Sequence, residues 1–127
     1  MTDQELYLEA KKVKKNAYAP YSKFCVGAAL LAKSGKVYTG VNIENSSYPA
    51  GICAERAAFS AAVSAGERKF DAIAICGGEG EAMPCGICRQ FMYEFSSDCK
   101  LRVITGKDEN HLEEMSIGEL LVKGFRL

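Results

Sequence analysis

Three cysteines and one glutamate form the most chemically suggestive pattern in this chain. Cys85 and Cys88 lie three apart in PCGICRQ at 84–90, so on a helix they share a face. Cys53 opens the alanine-rich run CAERAAFSAAVSA, and Glu55 follows it by two residues. Both cysteine motifs stand where a helix is expected to begin. Thiolates at a helix N-terminus are stabilised by the macrodipole and by free backbone N–H groups, which lowers their pKa and favours metal binding. Three thiolates with an open fourth position describe a catalytic zinc site, whereas a structural site is normally closed by four protein ligands. Zinc lowers the pKa of a bound water from 15.7 to about 7, so hydroxide is available at neutral pH. Glu55 could take a proton from that water and hand it on, as base and then as acid. Positions i and i+2 do not share a face in mid-helix, so Cys53 and Glu55 converge only on a metal beyond the helix end. Taken alone, Glu55 reads as a favourable acid in a first turn.

The bulk of the sequence agrees with a small-molecule site. The 127 residues suit one compact domain, taken as 1–127. Lys plus Arg and Asp plus Glu are 16 each, for a formal net charge of zero. That balance argues against a dedicated nucleic-acid or membrane-surface binder, which needs a basic excess. No apolar run approaches the roughly 20 residues of a spanning helix. The start, MTDQELYLEAKK, has acids where a signal peptide has bases followed by an apolar stretch, so a cytoplasmic location is expected. The six cysteines fall below the roughly 8–10% of disulfide scaffolds, and metal binding is the favoured use of the cluster. Cys25, Cys76 and Cys99 are expected to be reduced and structural.

Elements that could position these residues are legible along the chain. Thr2-x-x-Glu5 forms a capping box ahead of an apolar stripe (Leu6, Ala10, Val13, Ala17), predicting a helix over about 3–16 with KKVKK on its solvated side. CVGAALLA (25–32) and KVYTGVNIE (36–44) read as a hairpin turned at Ser34-Gly35. A loop at 45–51 leads to a helix over 53–65, closed by Gly66. DAIAICG (71–77) reads as a strand followed by a glycine-rich acidic loop. Pro84 suits the first turn of a helix running through CGICRQFMYEF. Residues 101–105 read as another strand, and Ser116-x-x-Glu119 opens a last helix ending near Gly124. His111 falls in a polar stretch read as loop. The order predicts an α/β domain with a mixed sheet: an antiparallel first pair, and parallel strands where helices alternate. Alanines at 54, 57, 58, 61, 62 and 65 make a small-residue surface for close packing on a sheet or on another subunit.

CAE at 53–55 with PCGICRQ at 84–90 fits the zinc-deaminase signature, in which a non-ligand glutamate serves as acid and base. Together with YAPYSKFCVGAAL at 18–30, GVNIENSSYPAGICAERAA at 40–58 and ELLVKGF at 119–125, the chain closely resembles the small homotetrameric cytidine deaminases. That resemblance runs from about Tyr18 to Phe125. It implies a three-layer fold, a mixed five-stranded sheet with helices on both faces, and one Zn2+ per subunit. It also implies deamination of cytidine and 2′-deoxycytidine to uridine and 2′-deoxyuridine in pyrimidine salvage. Cys53, Cys85 and Cys88 would hold the metal, zinc hydroxide would attack C4, and Glu55 would shuttle protons through N3 to the leaving amine. By the same likeness Asn42 and Glu44 hold the ribose hydroxyls, Phe24 packs on the pyrimidine, and the Ala54 backbone meets its polar edge. Phe125 corresponds to an aromatic that reaches a neighbouring subunit's site, although Val122-Lys123-Gly124 stands where the family commonly has a proline. Arg56 would donate to the cysteine sulfurs. Zinc with three thiolates carries a formal charge of minus one, which opposes ionisation of a bound water, and a neighbouring guanidinium offsets it.

Two other enzymatic readings and one non-enzymatic reading compete. A deaminase of another aminopyrimidine, such as blasticidin S, shares CAE and PCxxCRQ, but Glu44 in NIE is ready for an unblocked ribose. A polynucleotide editor needs a basic groove and aromatic platforms, which this chain lacks. A zinc-stabilised binding module would need a fourth ligand from Cys76, Cys25 or His111 and has no use for Glu55.

Overall fold

The structure is a computed structural model describing residues 1–127. Helix α1 spans Asp3–Lys14, and the capping box is made as expected. Thr2 Oγ1 accepts from the Glu5 N–H at 3.1 Å, and Glu5 Oε2 accepts from the Thr2 N–H at 2.8 Å. Strands β1 (Val26–Ala32) and β2 (Val37–Val41) form the antiparallel hairpin. Helix α2 is Ala54–Ser64, β3 is Phe70–Gly77, α3 is Gly86–Glu94, β4 is Arg102–Asp108 and β5 is His111–Ser116. A four-residue α4 covers Ile117–Leu120.

The five strands lie in the order β2-β1-β3-β4-β5. Only β3 and β4 are parallel, joined through α3; the other neighbours are antiparallel. Alternation along the strands feeds two cores. Ala28, Leu30, Ile73, Ile75 and Val103 face α2 and α3, meeting Ala58, Phe59, Ala62, Cys88 and Met92. Ala29, Ala72, Ala74, Cys76 and Ile104 face α1, meeting Leu6, Tyr7 and Ala10. Helices therefore cover both faces of a mixed five-stranded sheet. Ala54, Ala58 and Ala62 spend the small-residue surface on this sheet, whereas Ala61 and Ala65 are exposed.

Four local expectations are corrected. Residues 111–116, read as loop around His111, form an edge strand, with Ile104 opposite Glu114 and Val103 opposite Met115. Its sequence, HLEEMS, has no apolar alternation; the open edge of β4 supplies the reason to extend. The last helix stops at Leu120 rather than near Gly124. Pro84 precedes the cap of α3 instead of entering its first turn, because Cys85 is the N-cap. The second strand ends at Val41, and Ile43 forms isolated bridges to Tyr18 and Ile52.

Two glycines set how closely the layers approach. A Cβ on Gly27 would lie 2.1 Å from the Ala10 carbonyl oxygen of α1. A Cβ on Gly40 would lie 2.3 Å from the Ala58 nitrogen and 2.6 Å from the Ala54 oxygen, inside the first turns of α2. Backbone cannot yield as a flexible side chain does, so α2 must move. Gly40→Ala is expected to destabilise the fold by about 1–3 kcal/mol and to lower bound zinc. Urea unfolding and metal analysis of the purified variant check both, and wild-type values would contradict the packing argument.

Candidate active site

Two helix starts build the site. Helix α2 runs away from its first turn, and β3 returns beside it, so α2 begins over the C-terminal end of β3. Helix α3 leaves from that same end after the 77–82 loop. Cys53 is the N-cap of α2 and Cys85 the N-cap of α3, both extended (ψ 156° and 170°) and neither using its side chain as a cap. Cys88 lies one turn along α3 and is fully buried. The three sulfurs lie within 4.8 Å of one another. Four ligands at about 2.3 Å around tetrahedral zinc put neighbouring sulfurs about 3.8 Å apart. Cys53 Sγ and Cys85 Sγ are 3.9 Å apart. The three residues therefore suit a zinc ion in donor type and spacing. No histidine, carboxylate or further cysteine joins the group, so the chain offers zinc three donors and leaves the fourth to a non-protein ligand. Cys25, Cys76 and Cys99 are free thiols elsewhere, and His111 bonds to Asp108 at 2.8 Å.

Crowded sulfurs share their charge. The hydrogen bond from Cys88 draws the Cys53 thiol down to about 5 against its desolvation, and Arg56 and Cys85 assist. The same bond and burial push Cys88 up. One thiolate thus forms readily and the next resists, until a cation replaces the remaining protons. Arg56 Nη2 donates to Cys53 Sγ at 3.5 Å, as the sequence-level charge argument requires. Its Nε is buried and has no hydrogen-bond partner.

Glu55 is 4% exposed, and burial raises its carboxyl above the usual range. It lines a cleft of about 310 Å³ with Cys53, Cys85, Ala54, Phe24, Asn42 and Glu44. The i, i+2 problem is solved as the geometry demanded: Cys53 stands at the helix end and Glu55 is in the first turn. A wider depression of about 570 Å³ adjoins this cleft, lined by Tyr21, Tyr48, Ile43 and Arg56 and sharing Ser22, Asn42, Glu44 and Cys53.

The cleft's polar side is held by backbone. Asn42 Nδ2 donates to the Phe24 carbonyl at 2.7 Å, and its Oδ1 accepts from the Val26 N–H at 2.8 Å. Glu44 Oε1 accepts from the Tyr21 and Ser22 N–H groups at 2.9 and 3.1 Å, and Oε2 accepts from the Ser22 hydroxyl. These bonds, the Ser22 hydroxyl foremost, hold the Glu44 carboxyl below the ordinary range. The Phe24 ring backs onto Gly78, whose carbonyl accepts from Lys14 Nζ at 2.7 Å. Sequence reasoning missed Ser22, Tyr21 and Tyr48. Ser22 meets Glu44 across 22 residues, and no local pattern signals such a partner. Phe125 lies outside both clefts and is 65% exposed.

Comparison with known proteins agrees with this geometry. Residues 1–105 match the family described as the cytidine and deoxycytidylate deaminase zinc-binding region. A cytidine deaminase of Sporosarcina psychrophila is 46% identical over 126 residues, spanning 98% of this chain and 92% of that protein. The chain belongs to the cytidine deaminase family. Another cytidine deaminase, from Halalkalibacterium halodurans, is 43% identical over 98% of this chain and 95% of its own length. The crystal structure of cytidine deaminase from Burkholderia pseudomallei superimposes with a TM-score of 0.91 at 44% identity, covering 98% of this chain and all of that one. The protein is thus an enzyme with cytidine deaminase activity on a zinc-binding domain, a hydrolase of a cyclic amidine C–N bond.

Removing the guanidinium leaves the sulfur cluster with its excess negative charge. Arg56→Ala is expected to weaken zinc binding by about 10–100-fold, measured by competition with a chromophoric chelator. Unchanged zinc affinity would show that the Arg56–Cys53 contact does nothing for the metal.

Proposed function

We propose that the enzyme converts cytidine and 2′-deoxycytidine to uridine and 2′-deoxyuridine, with zinc held by Cys53, Cys85 and Cys88 and Glu55 as the proton carrier. The observation that carries this reading is the buried Glu55 carboxyl lining one cleft with the Cys53 and Cys85 thiols. Held by Cys53, Cys85 and Cys88, zinc would supply the Lewis acidity that makes a water ionisable near neutral pH. Glu55 takes the water proton and places it on ring N3 as the C4–O bond forms. It then takes the second proton from the new C4 hydroxyl, which becomes the C4 carbonyl, and delivers it to the exocyclic nitrogen as the C4–N bond breaks and ammonia leaves. A carboxyl raised by desolvation suits both directions of transfer near neutral pH.

Binding capacity left over in the cleft matches a nucleoside. Asn42 spends one N–H and one lone pair on the backbone, which leaves one of each for a sugar hydroxyl. Glu44 accepts three bonds of the roughly four a carboxylate can take, leaving room for a hydroxyl donor. Phe24 offers a ring to the pyrimidine, and the backbone of Ala54 at the start of α2 offers its polar edge a partner. Both clefts lie within the size range of small-molecule sites.

Phe125 serves a neighbouring copy's cleft in a homotetramer with one zinc per subunit. Supporting this are the exposed apolar side chains Ile87 (67%), Val122 (75%) and Phe125 (65%), which a second copy would cover. The reading takes 1–127 as one catalytic domain acting in cytoplasmic pyrimidine salvage on free nucleosides, since zero net charge offers no footprint for a polynucleotide.

Glu55→Gln is expected to keep its zinc while turnover of cytidine, followed by the ultraviolet change on conversion to uridine, falls by about 10²–10⁴. Zinc-loaded Glu55→Gln working at the wild-type rate would end the proton-carrier assignment. A second test concerns pH. Because donors hold the Glu44 carboxyl low, it stays ionised below the ordinary glutamate range and gains a proton only as pH falls further. Ser22→Ala removes the strongest of these donors, so the acid limb of kcat/KM should move to higher pH. An acid limb left in place would mean that Glu44 ionisation is not what substrate binding reads.

A further inference from the structure

The arginine and glutamine of PCGICRQ have no role in holding metal or moving protons, yet both reach the C-terminal tail. Arg89 Nη1 donates to the Leu120 carbonyl at 3.0 Å, while its Nε donates to the Pro84 carbonyl at 2.8 Å, beside Cys85. Gln90 Nε2 donates to the carbonyl of Phe125 itself at 3.0 Å. From the other side, Arg126 returns to the far end of the same helix. Its Nη2 and Nε donate to the Tyr93 carbonyl at 2.9 and 3.2 Å, and Nη2 also reaches the Ser96 carbonyl and, at 3.7 Å, Cys99 Sγ. The guanidinium carbon lies 4.0 Å from the Tyr93 ring centroid.

These contacts have a physical reason. The last carbonyls of a helix lack partners, and its C-terminus favours a cation. Helix α3 has no basic residue in its last turn and carries Glu94 there instead. The Tyr93 carbonyl already accepts from the Ser96 N–H at 3.2 Å, and Arg126 adds further donors from the tail together with the positive charge that α3 itself lacks. Between the two anchors the chain leaves helical geometry, with Lys123 at φ 53° and Gly124 packed on Tyr93. Phe125 is thus gripped on one side by its own carbonyl and on the other by the next residue, while its ring stays exposed.

We infer that Arg126, with Gln90, is a positioning residue that sets the Phe125 ring relative to the cysteine-bearing helix α3. The latch fixes Phe125 before any neighbour arrives, so little conformational freedom remains to be lost when the ring enters a cleft. This rests on the reading of Phe125 as a substrate contact in a neighbouring subunit.

The test compares zinc-loaded wild type, Arg126→Ala, Arg126→Lys and Phe125→Ala by cytidine kinetics and by hydrogen exchange of residues 119–127. Arg126→Ala should speed exchange in that segment by at least about threefold. It should also raise KM roughly two- to tenfold, the worth of one aromatic contact, with kcat within about twofold. Phe125→Ala should raise KM similarly, and Arg126→Lys should recover part of the loss, since an ammonium can still serve a carbonyl. Unchanged exchange in Arg126→Ala overturns the latch outright. Faster exchange with an unchanged KM, while Phe125→Ala does raise it, overturns the positioning role and leaves the Phe125 reading standing. A Phe125→Ala enzyme with wild-type KM removes that reading, and the positioning role with it.

Discussion

The meeting of two helix N-termini over the end of β3 is the constraint on which the rest of the site depends. Thiols at those ends are the donors a divalent metal needs, and only there can Cys53 and Glu55 face one point despite their spacing. The sheet makes the meeting possible. Ala54 and Ala58 let α2 sit close, and Gly40 gives its first turn a place to lie on β2. A bulkier side chain at any of these positions would lift one helix start away from the other.

The same meeting sets the electrostatics. Gathering three sulfurs within a few ångströms stores repulsion that a divalent metal ion would relieve in large part, leaving a formal charge of minus one. Arg56 answers the excess charge that remains, and burial of Glu55 keeps a proton within easy reach. At the opposite end of α3 the tail contributes Arg126, so this helix has two cysteine sulfurs at its positive pole and a guanidinium at its negative one. The polar groups of the adjoining cleft follow another rule. Asn42 is held by backbone donors and acceptors, and Glu44 by backbone N–H groups and the Ser22 hydroxyl, while both line the cleft.

What was legible in the sequence were features written in local chemistry. The capping boxes at Thr2 and Ser116, the hairpin, the alanine face of α2 and the pairing of cysteines with helix starts all rest on residues a few positions apart. Features created by distant partners were not legible. β5 extends because β4 leaves an edge open, not because HLEEMS alternates. The last helix stops at Leu120, where Arg89 takes the terminal carbonyl and Gln90 bonds the tail beyond at Phe125. Ser22 gained importance only when the fold brought Glu44 to it. The five-stranded sheet was implied by family resemblance, whereas the element pattern by itself showed four strands.

The proposed function requires the three converged cysteines to form an open, catalytic zinc centre. X-ray absorption spectroscopy of the zinc-loaded enzyme at the zinc edge tests it most directly. The account predicts three sulfur scatterers at about 2.3 Å and one oxygen at about 2.0–2.2 Å. A shell of four sulfurs, or a histidine nitrogen in place of the oxygen, would mean a closed structural site and would contradict it.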